Sequence, residues 1–145
     1  FSMGAAAAML AAARSPDVEA LVLDSAFARW SDTLSEQLRA GWHLPAPAVA
    51  YALFLYRALS GTDPEAVAPA EVIDALAARP MLFIAGADDP AVDPADGAAM
   101  AAAAGSKAEY LLVPGAGHVG AYRTDPAAYT ARVRAFLAAA MPPDR

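Results

Sequence analysis

The sequence contains no cysteine, which excludes a disulfide framework, a thiolate metal site and a cysteine nucleophile. Charge is also scarce. Only 18% of residues carry one, too few for a coiled coil or a disordered charged tail. The net charge of −6 leaves no basic surface for phosphates, so neither nucleic acid nor an anionic membrane is an expected partner. The longest apolar stretches, Ala5 to Ala13 and Met100 to Ala104, are short and alanine-dominated, and they cannot span a bilayer. The cytoplasm is the expected compartment, although the lack of a legible secretory leader is uninformative in a chain that opens on Phe1. What is abundant is apolar side chain: 58% of 145 residues, enough to bury one core and to make one domain or part of one.

Helical and extended patterns alternate along the chain. An alanine-rich helix follows Phe1-Ser2-Met3-Gly4. Glu19-Ala-Leu-Val-Leu-Asp24 then reads as a strand buried on both faces, entering a loop at Asp-Ser. Trp30, Leu34 and Leu38, followed by Tyr51, Leu55 and Leu59, recur at helical spacing. Leu44-Pro-Ala-Pro47 divides them into two helices set at an angle. Thr62 to Pro69 reads as a loop and Ala70 to Ala78 as a short helix stopped by Arg79-Pro80. Pro80 to Gly86 is the second strand, Glu109 to Pro114 the third, and an alanine-rich helix begins near Pro94 between them. Pro126 to Ala140 predicts an amphipathic helix burying Tyr129, Val133, Phe136 and Leu137. The expected architecture is α/β, with parallel strands flanked by helices. A short helical, cap-like insertion at about 31–78 is expected between the first two strands.

Three polar residues fall just beyond strand ends or open a helix, in the order Ser2, Asp89, His118. Open α/β sheets bind ligands at that end, where loops converge and helix N-termini point inward. A histidine that takes a serine proton, and an acid that holds the imidazole in one tautomer, are the parts of nucleophilic acyl transfer. Each residue also has an ordinary use: Ser2 as a helix cap, Asp89 as an Asx turn before Pro90, His118 as a solvated loop residue. Asp88 and Asp24 compete for the acid role, and Asp24 is expected rather to hold the loop after its strand. Asp93 and Asp96 complete an acidic cluster whose spacing does not match an EF-hand loop, so no metal site is expected.

With these residues in place, the chain resembles the C-terminal part of an α/β-hydrolase of the dienelactone-hydrolase or serine-esterase kind. The resemblance lies in Phe1-Ser2-Met3-Gly4 at the nucleophile elbow, Leu21-Val-Leu-Asp24-Ser25-Ala-Phe27, Leu82-Phe-Ile-Ala-Gly86-Ala-Asp-Asp89-Pro90, and Val113-Pro-Gly-Ala-Gly117-His118. It implies Ser2 as nucleophile, Asp89 as acid by the Gly-x-x-Asp spacing from Gly86, His118 as base, and the Met3 N–H as one oxyanion donor. It also implies a small-molecule acyl substrate and no cofactor, with small residues around Ser2 because backbone comes close there. Trp42, Tyr51 and Phe54 of the insertion would offer the substrate an apolar surface, while His43 is given no role. By the same resemblance the early sheet strands are missing, so the first strand would carry an unpaired edge open to self-association.

Two readings compete with a hydrolase. Gly115, Gly117 and Gly120 spell the G-x-G-x-x-G of Rossmann-like dinucleotide binding directly after a strand. That site needs a further strand with an acid about 20 residues on, and only one helix and a Pro-Pro tail follow. A non-catalytic interaction domain with the same fold is the other alternative. The loop expected to supply a second oxyanion donor lies outside this sequence, and losing one such donor costs about 10²–10³ in turnover. The 145-residue chain assayed alone is therefore expected to hydrolyse esters far more slowly than a parent extended at its N-terminus; equal turnover would refute this.

Overall fold

In the computed structural model, which describes residues 1–142, helix α1 (Met3–Ala12) leads into strand β1 (Leu21–Asp24). An alanine run favours helix because it loses no side-chain entropy. At the helix end the Ala12 carbonyl accepts from the Ser15 N–H at 3.1 Å and from Arg79 Nη1 at 2.5 Å. Helices α2 (Trp30–Trp42) and α3 (Ala46–Ser60) follow, separated at His43, which is left-handed at φ 52°, and at Pro45. The chain then passes through two proline-initiated 3₁₀ turns, Pro64–Ala66 and Pro69–Val72, into a single helical turn α4 (Ile73–Leu76). The helix expected over Ala70 to Ala78 is thus reduced to one α turn: Pro69 starts a tighter 3₁₀ turn, and Pro80 ends the segment. Strand β2 (Met81–Gly86), α5 (Pro94–Ala104), β3 (Ala108–Val113), α6 (Ala121–Thr124) and α7 (Pro126–Ala140) complete the order.

The three strands form one parallel sheet in the order β1-β2-β3, with Asp24 opposite Ile84 and Gly86 opposite Val113. Every residue of β2 is buried, as expected for the centre of a sheet covered on both faces. Its side chains alternate between two cores. Met81 and Phe83 join Met9, Leu23, Leu76 and Met100 beneath α1, α4 and α5. Leu82 and Ile84 meet Ala121 and Phe136 on the other face, with Tyr129, Val133 and Leu137 half-buried around them. Among the described residues no strand pairs with the outer edge of β1, where the Ser2 N–H donates to the Asp24 carbonyl at 2.8 Å. No described helix is long and apolar enough to cross a membrane.

Contacts from α2 anchor the segment between β1 and β2. Trp30 tilts against buried Phe27 with ring centroids 5.4 Å apart, and its indole N–H donates to Tyr56 Oη at 3.3 Å. Gln37 Nε2 donates to the Ala91 carbonyl at 3.0 Å, tying α2 to the loop after β2.

That loop and the loop after β3 meet over Gly86. The Ala87 N–H donates to Val113 O and the Asp88 N–H to Ala116 O, both at 3.0 Å. A Cβ on Gly86 would lie 2.2 Å from Ala116 O and 2.7 Å from Gly117 O, which are backbone atoms that cannot rotate away. Gly86→Ala is expected to force the loops apart and destabilise the fold by at least the ~1–3 kcal/mol typical of overpacking. Urea denaturation checks this, and a stability within 0.5 kcal/mol of wild type would contradict the contact.

Candidate active site

Ser2 lies at the turn between Phe1 and α1 with φ 49° and ψ −125°, backbone angles costly for a residue with a Cβ. Its hydroxyl does not cap α1. It lies instead 2.9 Å from His118 Nε2. Met3 is the first residue of α1, and its N–H makes no hydrogen bond among the described residues. That donor is free beside the Ser2 hydroxyl, at the positive end of the helix dipole. Gly4 departs from expectation: a Cβ there would meet nothing within 4 Å, so the described residues generate no steric need for a small side chain.

His118 stands in the loop after β3, with Nδ1 2.8 Å from Asp89 Oδ2. Its side chain is 29% exposed, whereas that of Asp89 is 2% exposed. The other oxygen of Asp89 accepts from the Ala91 N–H at 2.8 Å and the Val92 N–H at 3.0 Å. The Asx turn and the contact to histidine therefore belong to one carboxylate: Oδ1 is pinned by backbone, and this aims Oδ2 at the imidazole. With Nδ1 carrying the proton toward Asp89, Nε2 presents its lone pair to the Ser2 hydroxyl. Asp88 turns elsewhere and is exposed.

The glycines after β3 shape this loop. The Gly120 N–H donates to Gly117 O at 2.9 Å, and a Cβ on Gly120 would lie 2.9 Å from the same oxygen. Gly117 and Gly120 thus close a tight turn around His118, a local use of the letters that also spell a dinucleotide fingerprint; Gly115 takes a φ of 74° just before it.

Asp24 ends β1 and is buried. Its Oδ1 accepts from the Ser25 hydroxyl and its Oδ2 from the Tyr129 hydroxyl, each at 3.1 Å. Burial raises its carboxyl above the usual range, and the two donors partly offset the rise. Asp24 holds Ser25 at the start of the loop it was expected to hold, whereas its second partner, Tyr129 on α7, was not foreseen. A strand ending in Asp-Ser was the only available signal. Tyr129 is recognisable in the sequence only as part of an apolar face.

Trp42, Tyr51 and Phe54 are 76%, 62% and 63% exposed. They lie on the outer parts of α2 and α3, with Tyr51 and Phe54 stacked at 6.3 Å. They do not join the hydrogen-bonded line of Ser2, His118 and Asp89. Asp93 caps α5 through the Ala95 N–H at 2.8 Å, and Asp96 accepts from the Ala28 N–H at 2.9 Å. Both acids therefore serve the backbone.

The three parallel strands, their flanking helices and the loops gathered at one sheet end are those of an α/β-hydrolase fold. The family described as TAP-like protein, one of the α/β-hydrolase families, matches residues 58–145, more than half of the chain, and the chain belongs to it. Among solved structures it is similar to an esterase from Pyrococcus furiosus, at 20% identity and TM-score 0.74, covering 97% of this chain and 52% of that one. The esterase domain of a Rhodothermus marinus protein gives 19% identity, TM-score 0.67, and coverage of 94% and 57%. A puromycin-hydrolysing peptidase from Mycobacterium tuberculosis gives 17% identity, TM-score 0.71, and coverage of 97% and 21%. The chain thus spans about half the length of the first of these, and at such identities the likeness is one of fold. No curated protein sequence matches it.

The Tyr129 phenol is pushed up to about 12, first by burial, then by the charge of Asp24 and the hydrogen bond to it. A pKa raised in the folded state favours folding below the ordinary value of 10, and that contribution is lost as pH rises toward 12. Wild-type protein is expected to lose stability across this window more steeply than Tyr129→Phe, as measured by urea unfolding at several pH values. Parallel curves would show that folding does not raise the Tyr129 phenol.

Proposed function

We propose that the protein is a serine hydrolase acting on carboxylic esters through an acyl-enzyme. The observation that carries this reading is the unbroken line Ser2 Oγ to His118 Nε2 at 2.9 Å and His118 Nδ1 to Asp89 Oδ2 at 2.8 Å. It occurs in a family and fold whose similar structures include esterases and a peptidase.

Each residue has a defined task. His118 Nε2 takes the Ser2 proton as Oγ bonds to the acyl carbon, and the carbonyl oxygen becomes an oxyanion beside the free Met3 N–H. The imidazolium, stabilised by Asp89, returns the proton to the leaving alcohol as the C–O bond breaks. Water then attacks the acyl-Ser2 ester by the same path and releases the acid. No metal or organic cofactor is needed in this sequence of steps. Trp42, Tyr51 and Phe54 offer exposed apolar surface on the helical segment at about 31–78, and the shortness of its two longer helices favours a small or medium acyl group over long lipid chains. Thioester, lactone and peptide bonds use the same machinery, so the bond cleaved is a matter for substrate screening.

Labelling with a fluorophosphonate and hydrolysis of a p-nitrophenyl ester test the reading on this chain and on an N-terminally extended parent. Ser2→Ala is expected to abolish labelling and lower turnover by about 10⁶, and Asp89→Asn to lower it by about 10⁴ while leaving Ser2 in place. Labelling that persists in Ser2→Ala, or a folded parent that never labels, would exclude the triad.

A further inference from the structure

We propose that the Asp24-Ser25 dipeptide is the positioning element that holds the nucleophile turn and the histidine loop at their working separation, with Tyr129 completing it. This deepens the serine hydrolase reading and rests on it.

The dipeptide touches both sides of the site. On one side the Asp24 carbonyl accepts the Ser2 N–H at 2.8 Å, fixing the turn that carries the hydroxyl. On the other, Ser25 Oγ accepts the Val119 N–H at 3.1 Å, one residue beyond His118. The Ser25 hydroxyl proton is committed to Asp24 Oδ1, and the second carboxylate oxygen accepts from Tyr129 Oη on α7. The donors converge on the Asp24 carboxylate. Val119 N–H donates to Ser25, Ser25 donates to Asp24, and Tyr129 donates to Asp24 from the far side.

The conformations at the two ends need such a tie. Val119 is β-branched and takes φ 53°, a genuine outlier for such a residue. Ser25 takes φ 53° and is buried, with its own N–H donated to Ile84 O at 2.8 Å. Left-handed backbone at a valine persists only where the surroundings over-determine it. The bond from its N–H to the Ser25 hydroxyl is one such determinant, and the Gly117–Gly120 turn is the other. A buried carboxylate at the end of β1 is costly to desolvate. Fixing the Ser25 hydroxyl as an acceptor toward the histidine loop gives that carboxylate a role that core packing does not.

The experiment separates the hydroxyl from the backbone conformation. Ser25→Ala removes the hydroxyl and keeps a Cβ at positive φ. Ser25→Gly removes the hydroxyl and relieves the strain, so it folds even where the alanine variant does not. Each is compared with wild type in the full protein by fluorophosphonate labelling rate, circular dichroism, and the far-downfield proton resonance of His118 Nδ1–H. Both variants, where folded, are expected to label roughly 10- to 100-fold more slowly, with the His118 resonance broadened or lost. Tyr129→Phe is expected to shift both readouts the same way but less. Wild-type labelling and resonance in folded Ser25→Gly would overturn the proposal and leave the triad standing. A loss in Ser25→Ala that Ser25→Gly restores would also overturn it, because backbone strain and not the hydroxyl would then be the cause. A folded wild type that neither labels nor shows the resonance would overturn the hydrolase reading and this inference with it.

Discussion

Because β1, β2 and β3 run parallel, with Asp24 set opposite Ile84 and Gly86 opposite Val113, their C-terminal ends open on the same side of the sheet. The elements of the proposed site leave from that side: the Asp24-Ser25 dipeptide from β1, the Asp89 turn from β2 and the His118 loop from β3. Ser2 joins them through its N–H to the Asp24 carbonyl. The buried β2 fixes this geometry, since its apolar side chains reach both cores and a slip of one residue would exchange them. At its end Gly86 lets two loops approach closer than any side chain would allow, and backbone hydrogen bonds between them then set where an acid and a base can meet.

In the proposed hydrolase, Asp89 illustrates why an ordinary structural use and a catalytic one need not be rivals. A carboxylate that swings freely is a poor orienting group, since imidazole alignment depends on it. Here one oxygen is spent on two backbone N–H groups of its own turn, and the other has a single direction left to it. The same reasoning applies to the glycines after β3. Their spacing is compatible with a phosphate loop by letter, but the Gly120 contact to Gly117 closes the chain around His118.

The fold was largely legible in the sequence because its signals are local. Met81 to Ala85 is an uninterrupted apolar run bounded by Pro80 and Gly86, and such a run reads as a buried parallel strand without tertiary information. Pro45 and Pro47 announce the break between α2 and α3 in the same way. The short turn at α4 was less legible, since Ala70 to Ala78 has helical composition and only the structure shows that Pro69 opens a 3₁₀ turn instead of an α-helix. Asp89 and His118 could be singled out because strand-end position is itself a sequence property, and Ser2 because it opens an alanine-rich helix. The Ser25–Val119 bond could not, because it joins residues 94 apart through a backbone N–H that carries no letter. Tyr129 was hidden for a different reason: one residue can serve an apolar face with its ring and a buried carboxylate with its hydroxyl, and periodicity reports only the ring.

Strain is concentrated where the parts of the site meet. Ser2, Ser25 and Val119 all take positive φ, and hydrogen bonds from or to the Asp24-Ser25 pair reach both of the others. Three strained residues at about 1–3 kcal/mol each would be a heavy load for a marginally stable domain if they were independent. They are not independent, since each conformation is held by a bond to the next, so releasing one loosens its neighbours. A site assembled this way is held in place before any substrate arrives. On the positioning role proposed for the Asp24-Ser25 pair, that rigidity would come from the sheet beneath through one buried aspartate, whose desolvation is offset because both of its oxygens are occupied.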